Sequence, residues 1–581
     1  MNISWFGGFD SVHAFPTINR KLSEAMEKRG HRIYRNRHYT ETGELTPVYL
    51  VFGYEYIFNT DVRHDLTVGM MTWEFGGPNS VPLGWRAGVK NWDLTLSICE
   101  WVSRVFHKNG MKNVATVNMG VDPEEFQPVE KESDGIYRFL WAGGSDKRHG
   151  WDLAIRAFRE AFPDRKDVRL ILKMDTNYPG IKSFVEQIND PRIEYYHKNI
   201  ASMAEFYHSG DCLVFPVRGA GPGLIGMEAM ACGLPVIITG AGGPLTYSKF
   251  AYRIGVDIQR TSHHCKTDSP EPYWTEPKYN ELVSCMKEVF NNQVAAKVLG
   301  KSASDYIRTE WTWDKSAERL EYLLEQGLKP IEVSMIILVH NRPKSVIERC
   351  IDRVVEFTNA VDDPGFEILI VDNNTGAWEV QVDAASKHPH NQVVRNDKDL
   401  GVSLGRNVGM KHARGKYLMF LDDDAFPTRP GWLKELLSYF RDPSVGIVGQ
   451  TGTYIPEGQW GIFWEAQGVT ECDVVQGYCQ VFPRWMLDKL GPLDEKFGKF
   501  WHEDADWCLR IREAGYKVID AHNVGVWHMG SCSGDDGTYV NKINHLRSKW
   551  EGKPKVRVPR DQWNIPYHYE ECADAETDSG A

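Results

Sequence analysis

The sequence predicts an α/β protein with parallel sheets, divided into more than one domain. Two observations carry this. Short β-rich runs alternate with longer amphipathic segments along the whole chain, as strands joined by crossover helices do. Examples are Pro47–Phe52, Tyr137–Ala142, Val168–Lys173, Cys212–Pro216 and Pro235–Thr239. The alternation is then interrupted once, near Gln326–Glu332. A helical pattern over Lys315–Glu325 reaches Gly327, Pro330 blocks its continuation, and a fresh strand opens over Val333–His340. A looser junction lies around Gln127–Gly135, where Pro128 and a charged run separate two strand–helix sets. At 581 residues the chain exceeds what one hydrophobic core serves. The expected domains are 1–130, 131–328 and 333–550. A tail over 551–581 follows, basic at Lys553–Arg560 and acidic at Glu570–Asp578.

Composition narrows the class. A hydrophobic fraction of 42% and a charged fraction of 25% are those of an ordinary globular protein. The net charge of −12 argues against a broad basic surface for nucleic acid. The longest apolar stretches, such as Met335–Val339, are strand-sized, so no transmembrane segment is expected. The start, MNISWFGGFDSVH, lacks the charged and apolar regions of a signal peptide. Eleven cysteines without a CxxC pair read as reduced thiols, and a cytoplasmic location is the expectation. The 20 Trp, 24 Tyr and 25 Phe permit sugar-stacking surfaces, although aromatic residues more often serve the core.

The most informative stretch is Lys416–Ala425, KYLMFLDDDA, an apolar run that enters three carboxylates. Ligands of open α/β sheets sit at the carboxyl ends of strands, so these acids stand where a substrate binds. Asp422 and Asp424, two apart, can both face a cleft. Crowded carboxylates repel, and a hard divalent cation bridging them to nucleotide phosphates neutralises them. A helix-capping acidic turn is the simpler reading of a bare DDD, and the flanking motifs decide against it.

Those motifs run in order. VSMIILVHNRP puts Asn341 and Arg342 at the end of a strand, and EILIVDNNT ends in Asp372, Asn373 and Asn374. NDKDLGVSLGRNVGMKHARGKYLMFLDDDA carries Arg406 and Asn407 into the acidic triad. VVQGYCQVFPRWMLDKLGPLDEKFGKFWHEDADWCLRIREAGYKV holds Glu503 and Asp504, and VGVWHMGS holds His528. Over roughly Val333–Trp550 these segments together resemble glycosyltransferase family 2, which implies a GT-A fold, a single nucleotide-binding mixed sheet. The resemblance implies that Asp422 and Asp424 form a DxD motif, with Asp424 the more direct ligand of Mn²⁺ or Mg²⁺. It also implies that His528 reaches the metal or the diphosphate. Asn341, Arg342, Asp372, Asn374, Arg406 and Asp422 would surround a nucleotide-sugar donor, Asp372 facing its base or ribose. In the Glu503–Asp504 pair, Asp504 would deprotonate the acceptor hydroxyl, a role worth about 10²–10⁴-fold. Glu503 also suits the start of a helix. The implied reaction is a single inverting displacement onto a glycan or other hydroxyl acceptor. His502 and Phe426 depart from the family pattern and bear on the acceptor site.

The first half begins WFGGFDSVHAFPTINRKLSEAMEKRGHRIY, a strand, a Gly–Gly turn and an amphipathic helix. Gly7 and Gly8 either let backbone amides approach a phosphate or simply make a tight turn. GMMTWEFGGPNSVPLGW, SICEWVSRVFHKNG and VATVNMGVDPEEFQP follow, then FLWAGGSDKRHGWDLAIRAF and CLVFPVRGAGPGLIGMEAMACGLPVIITGAGGP. Together these resemble glycosyltransferase family 4, which implies a GT-B fold of two facing Rossmann-like domains, acceptor side first. By that resemblance Arg148, Gly223, Leu224 and Glu228 bind the donor, Glu228 at the ribose, with neighbouring Lys147 a substitute for the clamp lysine; His13 either lies against the transferred sugar or is a satisfied core histidine. Two positions depart from it. Ala220 stands where the EX7E motif has its first Glu, and His149 where the donor clamp has Lys. This half therefore reads either as a retaining, metal-independent transferase or as a non-catalytic binding or scaffold domain.

Other classes fit less well. A dinucleotide-dependent dehydrogenase requires GxGxxG, which WFGGFDS does not supply. A carbohydrate-binding protein has no use for Asp422, Asp424 and Asp504 in this order. A viral-type transferase acting on modified nucleic-acid bases is disfavoured by the acidic balance and favoured only by the run Lys553–Arg560.

Overall fold

The computed structural model describes residues 1–10, 14–52, 62–77, 80–144, 146–174, 188–196, 202–260, 272–360, 362–376, 379–455, 460, 463–465, 468, 470–499, 502–530, 539–553 and 566–567. His13 and most of the tail lie outside these residues. The chain forms two compact units, Met1–Glu325 and Gln326–Ala581.

The first unit holds two parallel six-stranded sheets, the GT-B arrangement. One has the order Arg32–Arg35, Asn2–Gly7, Val48–Phe52, Leu66–Met71, Leu94–Ser97, Val114–Thr116. The other runs Tyr252–Ile254, Val236–Thr239, Cys212–Phe215, Tyr137–Gly143, Val168–Met174, Ile193–Tyr195. Central strands such as Val48–Phe52, VYLVF, are apolar at every position because helices cover both faces of a parallel sheet. The two sheets are tied together at several points. Lys21, on the helix Ala14–Lys28, pairs with Asp122 and Glu125, both at 3.0 Å. The helix Trp313–Leu328 returns to the first sheet, where its Glu321 meets His31 at 2.8 Å and its Arg319 donates to the Thr116 carbonyl.

The second unit is built on one mixed eight-stranded sheet, the GT-A arrangement. Its order is Gln392–Arg395, Phe366–Asp372, Val333–Val339, Tyr417–Leu421, Cys479–Pro483, Val445–Gly449, Lys517–Asp520, Thr470–Glu471. The first four strands are parallel, and Cys479–Pro483 runs antiparallel to both of its neighbours. Glycines let the helix Gly401–His412 lie close on this sheet. A methyl group on Gly405 would sit 2.4 Å from Leu338 Cδ1, and one on Gly409 2.4 Å from Ile336 Cγ2. That approach sets the depth at which Arg406 and Asn407, between the two glycines, enter the unit. Asn407 is fixed by reciprocal hydrogen bonds with the backbone of Leu493 at 3.0 and 2.9 Å.

The same packing logic in the first unit yields a stability test. Gly69, in the strand Leu66–Met71, lies under the Trp92 ring, and a methyl group there would be 1.9 Å from it. Gly69→Ala forces Trp92 or the strand to shift and is expected to cost about 1–3 kcal/mol. Urea denaturation followed by tryptophan fluorescence measures it, and Gly84→Ala, where nothing lies within 4 Å and the backbone is not left-handed, serves as the uncrowded comparison.

Candidate functional site

In the second unit three parallel strands deliver the site. Val333–Val339 leads into Asn341 and Arg342, Phe366–Asp372 ends in Asp372, and Tyr417–Leu421 enters Asp422, Asp423 and Asp424. A two-stranded ribbon supplies the next group: Ala425–Pro427 pairs antiparallel with Val526–His528, setting His528 opposite Ala425. His528 Nε2 lies 3.2 Å from Asp424 Oδ1 and 4.0 Å from Asp422 Oδ2. Its ring stacks on Tyr478 with centroids 4.5 Å apart and planes at 6°. Asp422, Asp424 and His528 each offer one donor atom, all within 4.8 Å of one another. Two carboxylate oxygens and an imidazole nitrogen converging from separate elements fit a divalent cation.

Two arginines balance the acids. Arg342 reaches Asp423 Oδ1 at 2.9 Å and Asp424 Oδ2 at 3.1 Å. Arg406, itself buried, donates to Asp422 Oδ1 at 2.8 Å, Glu503 Oε1 at 3.0 Å and the Gly477 carbonyl at 2.9 Å. Burial pushes Asp423 up to about 7, with Asp422 and Asp424 adding to the rise and Arg342 opposing it. Burial lowers the His528 pKa, but the hydrogen bond to Asp424 and the charges of both aspartates outweigh it, and the net shift is upward.

Glu503 and Asp504 open the helix Glu503–Glu513, as the sequence suggests. They are not equivalent. Glu503 is buried and paired with Arg406, and burial together with the charge of Asp504 raises its carboxyl to about 7. Asp504 is more accessible, and its Oδ2 accepts from the Gly477 amide at 2.9 Å. The geometry makes Glu503 the partner of Arg406 and leaves Asp504 the more accessible carboxylate of the two. Asp372 is fully buried; its Oδ1 accepts from the Thr375 amide, and Arg395 lies 3.6 Å from Oδ2. Asn341 and Asn374 are exposed at the strand ends with φ of 50° and 63°, in the left-handed region.

In the first unit Gly7 follows the tight-turn reading and not the phosphate one. Its amide donates to Asn36 Oδ1 at 3.0 Å, and the Phe52 carbonyl and Asn19 crowd the place of a side chain. That amide is therefore engaged inside the fold rather than turned to a phosphate. Asn19 also donates to the Gly8 carbonyl, so the Gly7–Gly8 turn is pinned by this one side chain. Lys147 is exposed on the short turn Lys147–His149, while Arg148 is half-buried and donates to the Gly219 carbonyl at 2.9 Å. His149 is no stand-in for a clamp lysine: burial and the Arg148 charge lower its pKa to about 3, and its ring is neutral. Gly223, at φ 72°, caps the helix Leu224–Ala231, which carries Leu224 and Glu228. Glu228 accepts from the Tyr207 hydroxyl at 2.7 Å.

Sequence reading missed several residues. Arg218 is buried and forms bidentate pairs with Asp152, at 2.8 and 3.0 Å, and with Glu276, at 2.6 and 2.9 Å. It also donates to the Lys147 carbonyl and so holds the turn that carries Arg148. Asp423, Gly477 and Tyr478 belong to the second site. Only Asp423 had a signal, as the middle of the acidic triad.

Burial raises the Glu228 carboxyl to about 7 despite the Tyr207 hydrogen bond. The folded state thus keeps a proton that the unfolded chain releases near 4.5. This contribution to stability is complete below about 4.5, falls as pH climbs to about 7 and is level above that. Glu228→Gln retains a partner for Tyr207 and removes the fall. Its urea midpoint is expected to gain on that of the parent between pH 5 and 7.5, and a constant difference across that range would refute the assignment.

Residues 334–512 match the family Glycosyl transferase family 2, and residues 137–249 match Glycosyl transferases group 1. The chain is 23% identical over 223 residues to the uncharacterized protein y4gI of Sinorhizobium fredii, across 32% of this chain and 24% of that one. It is 25% identical over 203 residues to the glycosyltransferase AglE of Haloferax volcanii, across 33% of this chain and 65% of that one. It therefore spans about a quarter and about two thirds of the lengths of these relatives. Among solved structures it is similar to the sucrose-phosphate synthase of Thermosynechococcus elongatus, with a TM-score of 0.44 and 14% identity over 56% of this chain and 98% of that one. The two matches lie in chain order on the two units, the Glycosyl transferases group 1 match in the first and the Glycosyl transferase family 2 match in the second.

Proposed function

We propose that the second unit is a metal-dependent, inverting transferase that moves a sugar from a nucleotide donor to a hydroxyl of a glycan or similar acceptor. The observation that carries this is the convergence of Asp422, Asp424 and His528 within 4.8 Å, joined to the Glu503–Asp504 pair through Arg406. The imidazole in the donor set favours Mn²⁺ over Mg²⁺. When bound, the cation offsets the negative charge that develops on the leaving diphosphate. Arg342 and Arg406 hold the aspartates in place before the ligand arrives. Asp372, Asn341 and Asn374 line the strand ends where the nucleoside lies, and Asp504 takes the acceptor proton as the new bond forms.

For the first unit the reading is a retaining-type, metal-independent transferase, with Arg148 on the donor diphosphate and Glu228 on the ribose. Neutral His149 and apolar Ala220 favour a second reading of this unit as a non-catalytic sugar-binding domain. The cysteines Cys99, Cys212, Cys232, Cys350, Cys472, Cys479 and Cys508 are buried and unpaired, which suits a reducing, cytoplasmic compartment. Among the described residues no helix is long and apolar enough to cross a membrane.

Turnover of UDP-, GDP- and dTDP-sugars, assayed with and without Mn²⁺, tests the second unit. Asp504→Asn keeps the shape of the site and is expected to lower kcat about 10²–10⁴-fold with KM for the donor little changed. Asp424→Ala is expected to abolish the Mn²⁺-dependent part of turnover. Metal-independent turnover of undiminished rate in Asp424→Ala would overturn the mechanism.

A further inference from the structure

The strand Leu66–Met71 of the first unit runs directly into Thr72, Trp73 and Glu74. The loop after the facing strand Cys212–Phe215 presses against them. A methyl group on Gly219 would lie 2.4 Å from the Glu74 carbonyl, and one on Gly221 2.4 Å from Thr72 Oγ1. Arg148 touches the same loop, donating to the Gly219 carbonyl with its Cδ 3.6 Å from the Gly219 methyl position. Glu74, through its backbone carbonyl, and Arg148 thus both reach Gly219, one from each sheet. Burial raises the Glu74 carboxyl above its ordinary value, and Arg148 is the strongest charge acting against that rise, opposed by Asp146.

One buried polar group here has no protein partner. Thr72 Oγ1, on a residue 4% exposed and set against the Gly221 position, has no hydrogen-bond partner among the described residues. Buried donors and acceptors without partners are costly in a folded protein unless a bound molecule satisfies them. The loop itself brings no acid, since buried, apolar Ala220 follows Gly219. Two residues that meet at one glycine, one bringing a carboxylate and the other a guanidinium, match one kind of ligand: a phosphate for the cation, joined to a hydroxyl-rich group whose donors the carboxylate accepts.

We propose that Glu74 is a sugar-binding residue of the first unit, accepting hydrogen bonds from hydroxyls of a nucleotide sugar whose diphosphate Arg148 grips. This rests on the reading of that cleft as a nucleotide-sugar site. Glu74 then supplies from the opposite sheet the acid that position 220 lacks. Its role is to discriminate the sugar, not the nucleotide.

The test uses the full chain carrying Asp424→Ala, with EDTA present, and isothermal titration with UDP-glucose, UDP-N-acetylglucosamine, GDP-mannose and dTDP-glucose beside UDP, GDP and dTDP. Binding at the first unit is the part that Arg148→Ala removes. At least one sugar nucleotide is expected to bind there more tightly than its diphosphate. Glu74→Gln should erase that increment, about 10–100-fold for hydrogen bonds to a charged group, while the diphosphate binds as before. Glu74→Asp should restore part of it. Retention of the increment in Glu74→Gln, or equal loss for sugar nucleotide and diphosphate, overturns the role of Glu74 alone. No Arg148-dependent binding of any probe overturns the reading of the cleft and the proposal with it.

Discussion

The second unit is organised around a concentration of negative charge that would not hold together unaided. Asp422, Asp423, Asp424 and Glu503 meet at the end of a buried strand, and Arg342 and Arg406 are the cations that bind them. Arg406 ties Asp422, one of the three converging donors, to Glu503, next to the residue proposed as base, and its guanidinium also lies over the Phe420 ring. Removing one partner from such a buried network leaves uncompensated charge, which is why a single arginine can matter to both ends of the site. Much of the surrounding fold serves to set that arginine at the right depth, through the glycines on either side of it.

Backbone strain marks the same region. Asn341, Asn374 and His502 all adopt positive φ without being glycine, and each stands where a strand ends or a helix begins at the site. Such conformations cost energy and persist only where the surroundings enforce them. His502 at φ 71° turns the chain sharply enough that Glu503 and Asp504, adjacent in sequence, take different environments, one buried on Arg406 and one nearer solvent.

The parts legible in the sequence were local. A buried strand running into DDD, and an ED pair before a helix, carry their geometry in a few consecutive residues. The alternating elements likewise foretold parallel sheets. What escaped notice depends on pairing between distant segments. Arg218 is one arginine among many until Asp152 and Glu276 close around it from 66 and 58 residues away. Gly7 could be read as a phosphate turn or as a plain tight turn, because nothing local announces that Asn36 will occupy its amide. His149 stands where the donor clamp has lysine, and nothing local announces the burial beside Arg148 that lowers its pKa further. Glu74 sat in a quoted motif, TWEFGGP, but its relation to Arg148 exists only once the two sheets face each other.

The ribbon that pairs Ala425–Pro427 with Val526–His528 has a bearing on how the protein matures. Two of the three converging donors emerge from the ribosome about a hundred residues before the third. A nascent chain can therefore complete its parallel strands and present Asp422 and Asp424 while the place opposite Ala425 is still vacant. The three donors are brought together only when the chain has been translated past His528.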